Sequence, residues 1–159
     1  MSEQQQHDPL RPQAHDPNPE PPSPGPAFTL HDPAGKSSKI HPDDLRRLPE
    51  TAVSGCYIVS TEHGASGPFT FGGVRLLDFV HHHVSVPWTE VEVISADGFG
   101  NRVQREELES AGLTGPILLA LTINGKPMTR QQGLVRMVVP GEQDDALRQV
   151  KWIGQIRVK

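Results

Sequence analysis

Eight of the sixteen prolines in this 159-residue chain (Pro9, Pro12, Pro17, Pro19, Pro21, Pro22, Pro24 and Pro26) fall within the first 26 residues, which hold almost no aliphatic side chains. Such a segment cannot bury enough apolar surface to offset the entropy lost on ordering. A disordered proline-rich tail is therefore expected over residues 1–26, and one folding unit over residues 27–159. That unit has the size of a single modest domain. His-Asp-Pro occurs at 7–9, 15–17 and 31–33, but the irregular spacing reads as Asp-Pro turns and not as a repeat architecture.

Charge narrows the partners. Arg11 against Glu3, Asp8, Asp16 and Glu20 places about −3 of the net −4 in the tail, leaving −1 for the folding unit. A nearly neutral domain offers no basic stripe to neutralise phosphates, so nucleic acid is not an expected partner. The longest apolar run, Ile117–Ile123, contains Thr122 and falls well short of the roughly 20 residues of a membrane span. No membrane partner is expected. The N-terminus has neither a basic region followed by an apolar one nor a twin-arginine pair, so a cytoplasmic location is expected. Cys56 is the only cysteine, which excludes an internal disulfide.

The hydrophobic pattern predicts short strands at Phe28–Leu30, Val53–Thr61 and around Phe69–Phe71, with Gly72-Gly73 closing a hairpin. Pro42 at a first helical position and acids in the first turn predict a short helix ending at Pro49. Leu76, Leu77, Phe79, Val80 and Val84 share one helical face. Val91–Ser95 alternates as a half-buried strand before an Asp97-Gly98 turn. A short helix near Arg105–Ser110 follows, with strands at Pro116–Leu121, Leu134–Val139 and Val150–Val158, and an Asn124-Gly125 turn. This pattern is β-rich α+β with short helices, not an alternating parallel-sheet fold.

Several motifs fail on spacing. Gly35-Lys36-Ser37 would end a phosphate-binding loop, but Leu30 stands where that loop needs glycine. Gly98-Phe99-Gly100 continues to Val103, where a dinucleotide fingerprint needs glycine or alanine. Three adjacent helical positions point about 100° apart, so His81, His82 and His83 cannot jointly ligate one metal. Their plainer reading is a solvated helix end at the negative pole of the helix dipole. Cys56 stands between Gly55 and Tyr57 with no flanking cation, and such a thiol is more often a small buried hydrophobe than a reactive group.

The order of short motifs resembles the molybdopterin-binding domain of the sulfite-oxidase superfamily over about residues 28–159. The resemblance rests on Asp44–Pro49, Phe71–Phe79, Ser95–Phe99, Ile117–Ala120, Asn124–Met128, Gly133–Gly141 and Val150–Ile153. It implies a mixed, β-rich sulfite-oxidase-like α+β fold and a two-electron oxo-transfer oxidoreductase, or its cofactor-binding domain. It also implies a molybdopterin cofactor whose molybdenum is held by dithiolene sulfurs and one cysteine thiolate, a soft ligand suited to that metal. Carried over by motif, Arg136 and Lys151 resemble the cations that anchor the cofactor phosphate, with Asp97 and Gly133 beside the pterin. Cys56 resembles the metal ligand.

The departures shape the functional expectation. In the family the ligating cysteine follows the Leu-Pro helix end by more residues than separate Pro49 from Cys56, and a gap-free count falls nearer Val59 or Ser60. Either the turn is shorter here and Cys56 reaches the metal, or Cys56 is a strand residue and the thiolate ligand is lost. The second case leaves a non-catalytic binding module of the same fold. Gln131-Gln132 stands where sulfite-oxidising members carry histidine, so sulfite is not the expected substrate. An enzyme built on this domain would need a small-molecule substrate and a separate redox partner.

Overall fold

The computed structural model describes residues 26–60, 64–110, 116–129, 134–140 and 149–159, with backbone alone at 57–60 and 64–66. The expected tail lies outside the described residues but for Pro26. In chain order the elements are β1 (Phe28–His31), β2 (Ser37–Ile40), α1 (Pro42–Leu45), β3 (Thr51–Ser60), β4 (Gly64–Arg75), α2 (Leu76–His83), β5 (Glu90–Ser95), β6 (Gly100–Gln104), α3 (Arg105–Glu109), β7 (Leu118–Ile123), β8 (Lys126–Pro127), β9 (Arg136–Val138) and β10 (Ile153–Val158). The fold is β-rich α+β, as the pattern predicts.

The strands form two sheets. One runs β2-β1-β10-β5-β6, parallel at β1 and β10 and antiparallel elsewhere. The other runs β3-β4-β7-β8, with β9 also pairing β7, all antiparallel. The main core lies between them. Phe28, Leu30, Val91, Val93 and Ile156 of the first sheet meet Val74, Leu119 and Met137 of the second. Leu76, Phe79 and Val80 of α2 join this core at i, i+3 and i+4. The second sheet is also buried on its other face, where Val53, Cys56, Phe71, Leu118, Ala120 and Val138 form a separate cluster. A strand covered on both faces needs no polar alternation, which accounts for the apolar run Leu118–Leu121 in β7.

The main departures from the sequence pattern lie at glycines and at short polar strands. Gly72-Gly73 does not close a hairpin; it lies inside β4, in register with Thr122 and Ala120 of β7. A Cβ on Gly73 would sit 2.1 Å from the Leu119 carbonyl oxygen, so this pair marks a close backbone approach. Gly55 sits at a β-bulge between Val53 and Cys56 with φ of +71°. The inserted residue shifts the alternation, so that Cys56 follows Val53 onto the face of that separate cluster. β2 and β6 are not predicted, because Ile40 and Val103 are their only buried side chains. The helix expected to reach Pro49 is a single turn, Pro42–Leu45, continued by turn hydrogen bonds to Leu48.

Candidate functional site

Three segments distant in sequence converge where the two sheets meet. The antiparallel bridge between Met137 and Val150 is closed on both sides, at 2.7 and 3.2 Å. Continued by one residue, this register sets Arg136 across from Lys151, and Gln149 diagonal to Arg136 on the same side of the chain. The Ile153 amide donates to the Val135 carbonyl at 3.4 Å. The third segment is the turn after β5, whose Ala96 amide donates to the Trp152 carbonyl at 2.7 Å. Gly154 permits that approach, since a Cβ there would lie 3.0 Å from the Ala96 Cα.

The turn is built locally by its own side chains. Ser95 N–H donates to the Phe99 carbonyl at 2.7 Å, and Phe99 N–H donates to Asp97 Oδ1 at 3.2 Å. Asp97 N–H donates to Ser95 Oγ at 3.3 Å. These bonds are those of an Asx-stabilised hairpin turn, with Gly98 taking φ of +96°. Leu134 and Trp152 flank the cations with φ of +59° and +52°, a region that bulky residues enter only when their surroundings impose it. Trp152 is imposed upon in this way: its indole is buried, its carbonyl is bound by Ala96, and Lys151 Nζ lies 4.4 Å from the indole centroid.

Electrostatics single this cluster out. Arg136 is buried, and desolvation pushes its guanidinium down to about 10, which still leaves it protonated at neutral pH. Its Nε–H donates to Gln149 Oε1 at 3.3 Å, and Gln149 is itself buried. Burial lowers the Lys151 ammonium, the Arg136 charge lowers it further, and Asp97 opposes both. Two desolvated cations that disfavour one another are the arrangement an incoming anion relieves. A phosphate fits this chemistry, through the planar fork of arginine and the point charge of lysine.

The residues expected from sequence thus divide. Arg136, Lys151 and Asp97 are brought together, whereas Gly133 lies outside the described residues. Cys56 is 2% exposed, packs with Val53, Phe71 and Val138, and has Sγ 3.7 Å from the Ser54 carbonyl. Burial pushes its thiol up. A molybdenum ligand is a thiolate, and these surroundings favour the neutral thiol. The anionic end of the cofactor therefore fits the residues present, and the metal end does not fit Cys56 as it is packed. Gln149 is not singled out by the sequence; only the bridge to β9 gives an isolated glutamine meaning.

Two other features stand apart. A cleft of about 270 Å³ is lined by Leu45, Leu48, Glu50, Gly73, Val74 and Thr122, among others, and by none of Arg136, Lys151, Asp97 or Cys56. The His83 ring lies 4.8 Å from that of Phe79 and 4.7 Å from that of His82, with a buried Nε2 that has no hydrogen-bond partner among the described residues. Among the described residues no group of three His, Cys, Asp or Glu is placed to hold a metal, and no helix is long and apolar enough to cross a membrane.

Comparison with solved structures finds the same fold in the crystal structure of the sulfane dehydrogenase SoxCD from Paracoccus pantotrophus, with a TM-score of 0.64 and 18% identity. The match covers 83% of this chain but only 37% of that one, so this chain spans well under half of its relative. No curated protein matches by sequence. The family model of the oxidoreductase molybdopterin binding domain matches residues 27–159, and the chain belongs to that family.

Proposed function

We propose that this chain binds a molybdopterin cofactor through its terminal phosphate, with Arg136 and Lys151 as the anchoring cations and Asp97 holding Lys151 in its protonated form. The observation that carries this reading is the buried Arg136 set across from the half-buried Lys151, whose ammonium the Arg136 charge disfavours. Desolvated cations held side by side are an arrangement that an anionic ligand stabilises. When bound, the cofactor supplies two-electron oxo transfer, and the domain serves an oxidoreductase acting on a small-molecule substrate with a separate redox partner.

The residues of this chain bind and orient. Arg136 presents its guanidinium from β9, Lys151 meets it from the segment before β10, and the Trp152 indole shields Lys151 from solvent on one side. Asp97 is fixed by its turn, so its charge stays beside Lys151 when the site fills.

A second reading, a non-catalytic binding module of the same fold, is favoured by the apolar packing of Cys56. One experiment separates the two. The chain is purified from a host that makes the cofactor, and pterin and molybdenum are measured in the native chain and in Cys56→Ser. Both present at parity, with molybdenum lost in Cys56→Ser, supports the oxidoreductase with Cys56 as ligand. Pterin without molybdenum, or molybdenum unchanged by Cys56→Ser, supports the module or a different ligand. A chain with no pterin contradicts both.

A further inference from the structure

The walls of the cleft of about 270 Å³ come from two directions. Leu45 and Leu48 line it from α1 and the turn that continues α1, and Val74 and Leu121 line it from β4 and β7. These four belong to the main core or pack against it, so the cleft lies on the main-core side of the second sheet and not on the Cys56 side. Glu50 and Thr122 add a carboxylate and a hydroxyl. We propose that this cleft binds a small primary aliphatic amine, its ammonium received by Glu50 and Thr122 and its alkyl chain by Leu45, Leu48, Val74 and Leu121. The site shares no residue with Arg136, Lys151 and Asp97 and stands apart from the anchoring of a phosphate.

A glycine makes the polar end. Glu50 immediately precedes β3, whose Thr51 and Ala52 pair with Gly73 and Gly72 of β4. A Cβ on Gly72 would lie 2.6 Å from Thr122 Oγ1 and 3.4 Å from Glu50 Oε2. With glycine at 72 no side chain of that residue stands between the two oxygens, and one ammonium can span both. Thr122 Oγ1 donates its own proton to the Gly72 carbonyl at 3.4 Å, which leaves its lone pairs to accept. Charge then decides the sign of the ligand. Arg46 also lines the cleft but is held by Asp43 at 2.6 Å, whereas Glu50 has no hydrogen-bond or ion-pair partner among the described residues. Glu50 is exposed, so its charge selects the cation while the apolar walls supply most of the affinity. A cleft of this volume lies just below the range of drug-sized sites, which limits the ligand to a chain of about five carbons.

The test titrates the full native chain with a series of linear alkylammonium chlorides, ethyl to hexyl, at neutral pH and low ionic strength, and follows methyl and amide resonances by NMR. Resonances of Leu45, Leu48, Val74, Leu121 and Thr122 should shift together. Affinity should rise by up to about fourfold per methylene and level off at about five carbons, where the cleft is full. Pentanol and pentanoate, matched in length, should each bind about threefold or more weakly than pentylammonium. Glu50→Gln, at an exposed position, should weaken pentylammonium by the same factor and leave pentanol unchanged. Comparable affinity for pentylammonium and pentanol in the native chain, or for pentylammonium in the native chain and Glu50→Gln, overturns the role of the carboxylate and the amine site with it. Tighter binding of pentanoate moves the polar end to Arg46 and overturns the proposal as well. Affinity that does not rise with chain length shows a surface ion pair only, and overturns the cleft as the site. Absence of shifts at these five residues overturns it outright.

Discussion

Arg136 and Cys56 occupy the same face of the second sheet, on strands three places apart. Arg136 is in register with Ala120 on β7 and Ala120 with Gly73 on β4, while β4 pairs in turn with β3, which carries Cys56. At about 4.8 Å per strand their backbones are separated laterally by about 14 Å. One face of one sheet therefore carries a buried cation at one side and a buried thiol at the other, with the apolar cluster of Phe71, Leu118 and Ala120 nearby. Molybdopterin chemistry asks a cation and a thiolate of this fold, and the two residues meet those demands unequally.

The thiol end predicts inertness. Cys56 should react with a thiol reagent far more slowly in the native chain than in the denatured chain, since its sulfur is buried and burial raises its pKa. The stability that goes with this raised value is present below the unfolded thiol value of 9.0 and is lost as pH rises beyond it. Cys56→Ala should cost about 1–2 kcal/mol through the lost packing, read from denaturant unfolding. Rapid native alkylation would contradict this account of Cys56.

The cation end predicts an alkaline limit. Arg136 is lowered to about 10 and Lys151 is lowered as well, so both lose protons earlier in the fold than in the unfolded chain. Phosphate affinity should fall as pH rises through these values. In the same window the unliganded protein should gain stability from these two groups, because the unfolded state binds more protons there. Calorimetry for binding and denaturant melts for stability should move in opposite directions, and parallel changes would contradict the assignment.

The two ends were also unequally legible in the sequence. The amphipathic helix at Leu76–His83, the alternation in β5 and the turns at Asp97-Gly98 and Asn124-Gly125 follow from local periodicity and turn chemistry, and the structure has them. β2 and β6 escaped because each buries one apolar side chain and is held by its neighbour's hydrogen bonds. Gly72-Gly73 looked like a hairpin because glycine marks turns, yet these residues answer to a β7 strand some fifty positions away. Arg136, Lys151 and Asp97 were legible only through the family motif. Their meeting depends on the pairing of Met137 with Val150 and of Ala96 with Trp152, and no local rule contains such pairings.

That close approach has its own test. Gly73→Ala places a Cβ 2.1 Å from the Leu119 carbonyl oxygen, where backbone and not a flexible side chain is in the way. The substitution should destabilise by at least about 3 kcal/mol, at or beyond the upper end of ordinary overpacking. Gly125→Ala meets nothing within 4 Å and carries only the penalty of φ at +83°, about 1–2 kcal/mol. Equal losses in the two variants, measured by denaturant unfolding, would contradict the close packing of β4 on β7.

His83 predicts an acid limit. Burial lowers its pKa first and His82 second, against Asp44. Stability linked to neutral His83 is complete above 6.5 and is lost as pH falls from there towards the lowered value. His83→Gln should flatten the stability profile below 6.5. An unchanged profile would show that His83 titrates as it does in the unfolded chain.

The central claim, that Arg136 and Lys151 hold the phosphate of a molybdopterin, is tested most directly by pterin content. The native chain and the double variant Arg136→Gln, Lys151→Gln are expressed in a cofactor-making host, and the pterin released per folded chain is measured by fluorescence after oxidation. The account predicts near-stoichiometric pterin in the native chain and loss of most of it in a double variant that still melts cooperatively. Full pterin retention in the folded double variant, or no pterin in the native chain, would contradict it.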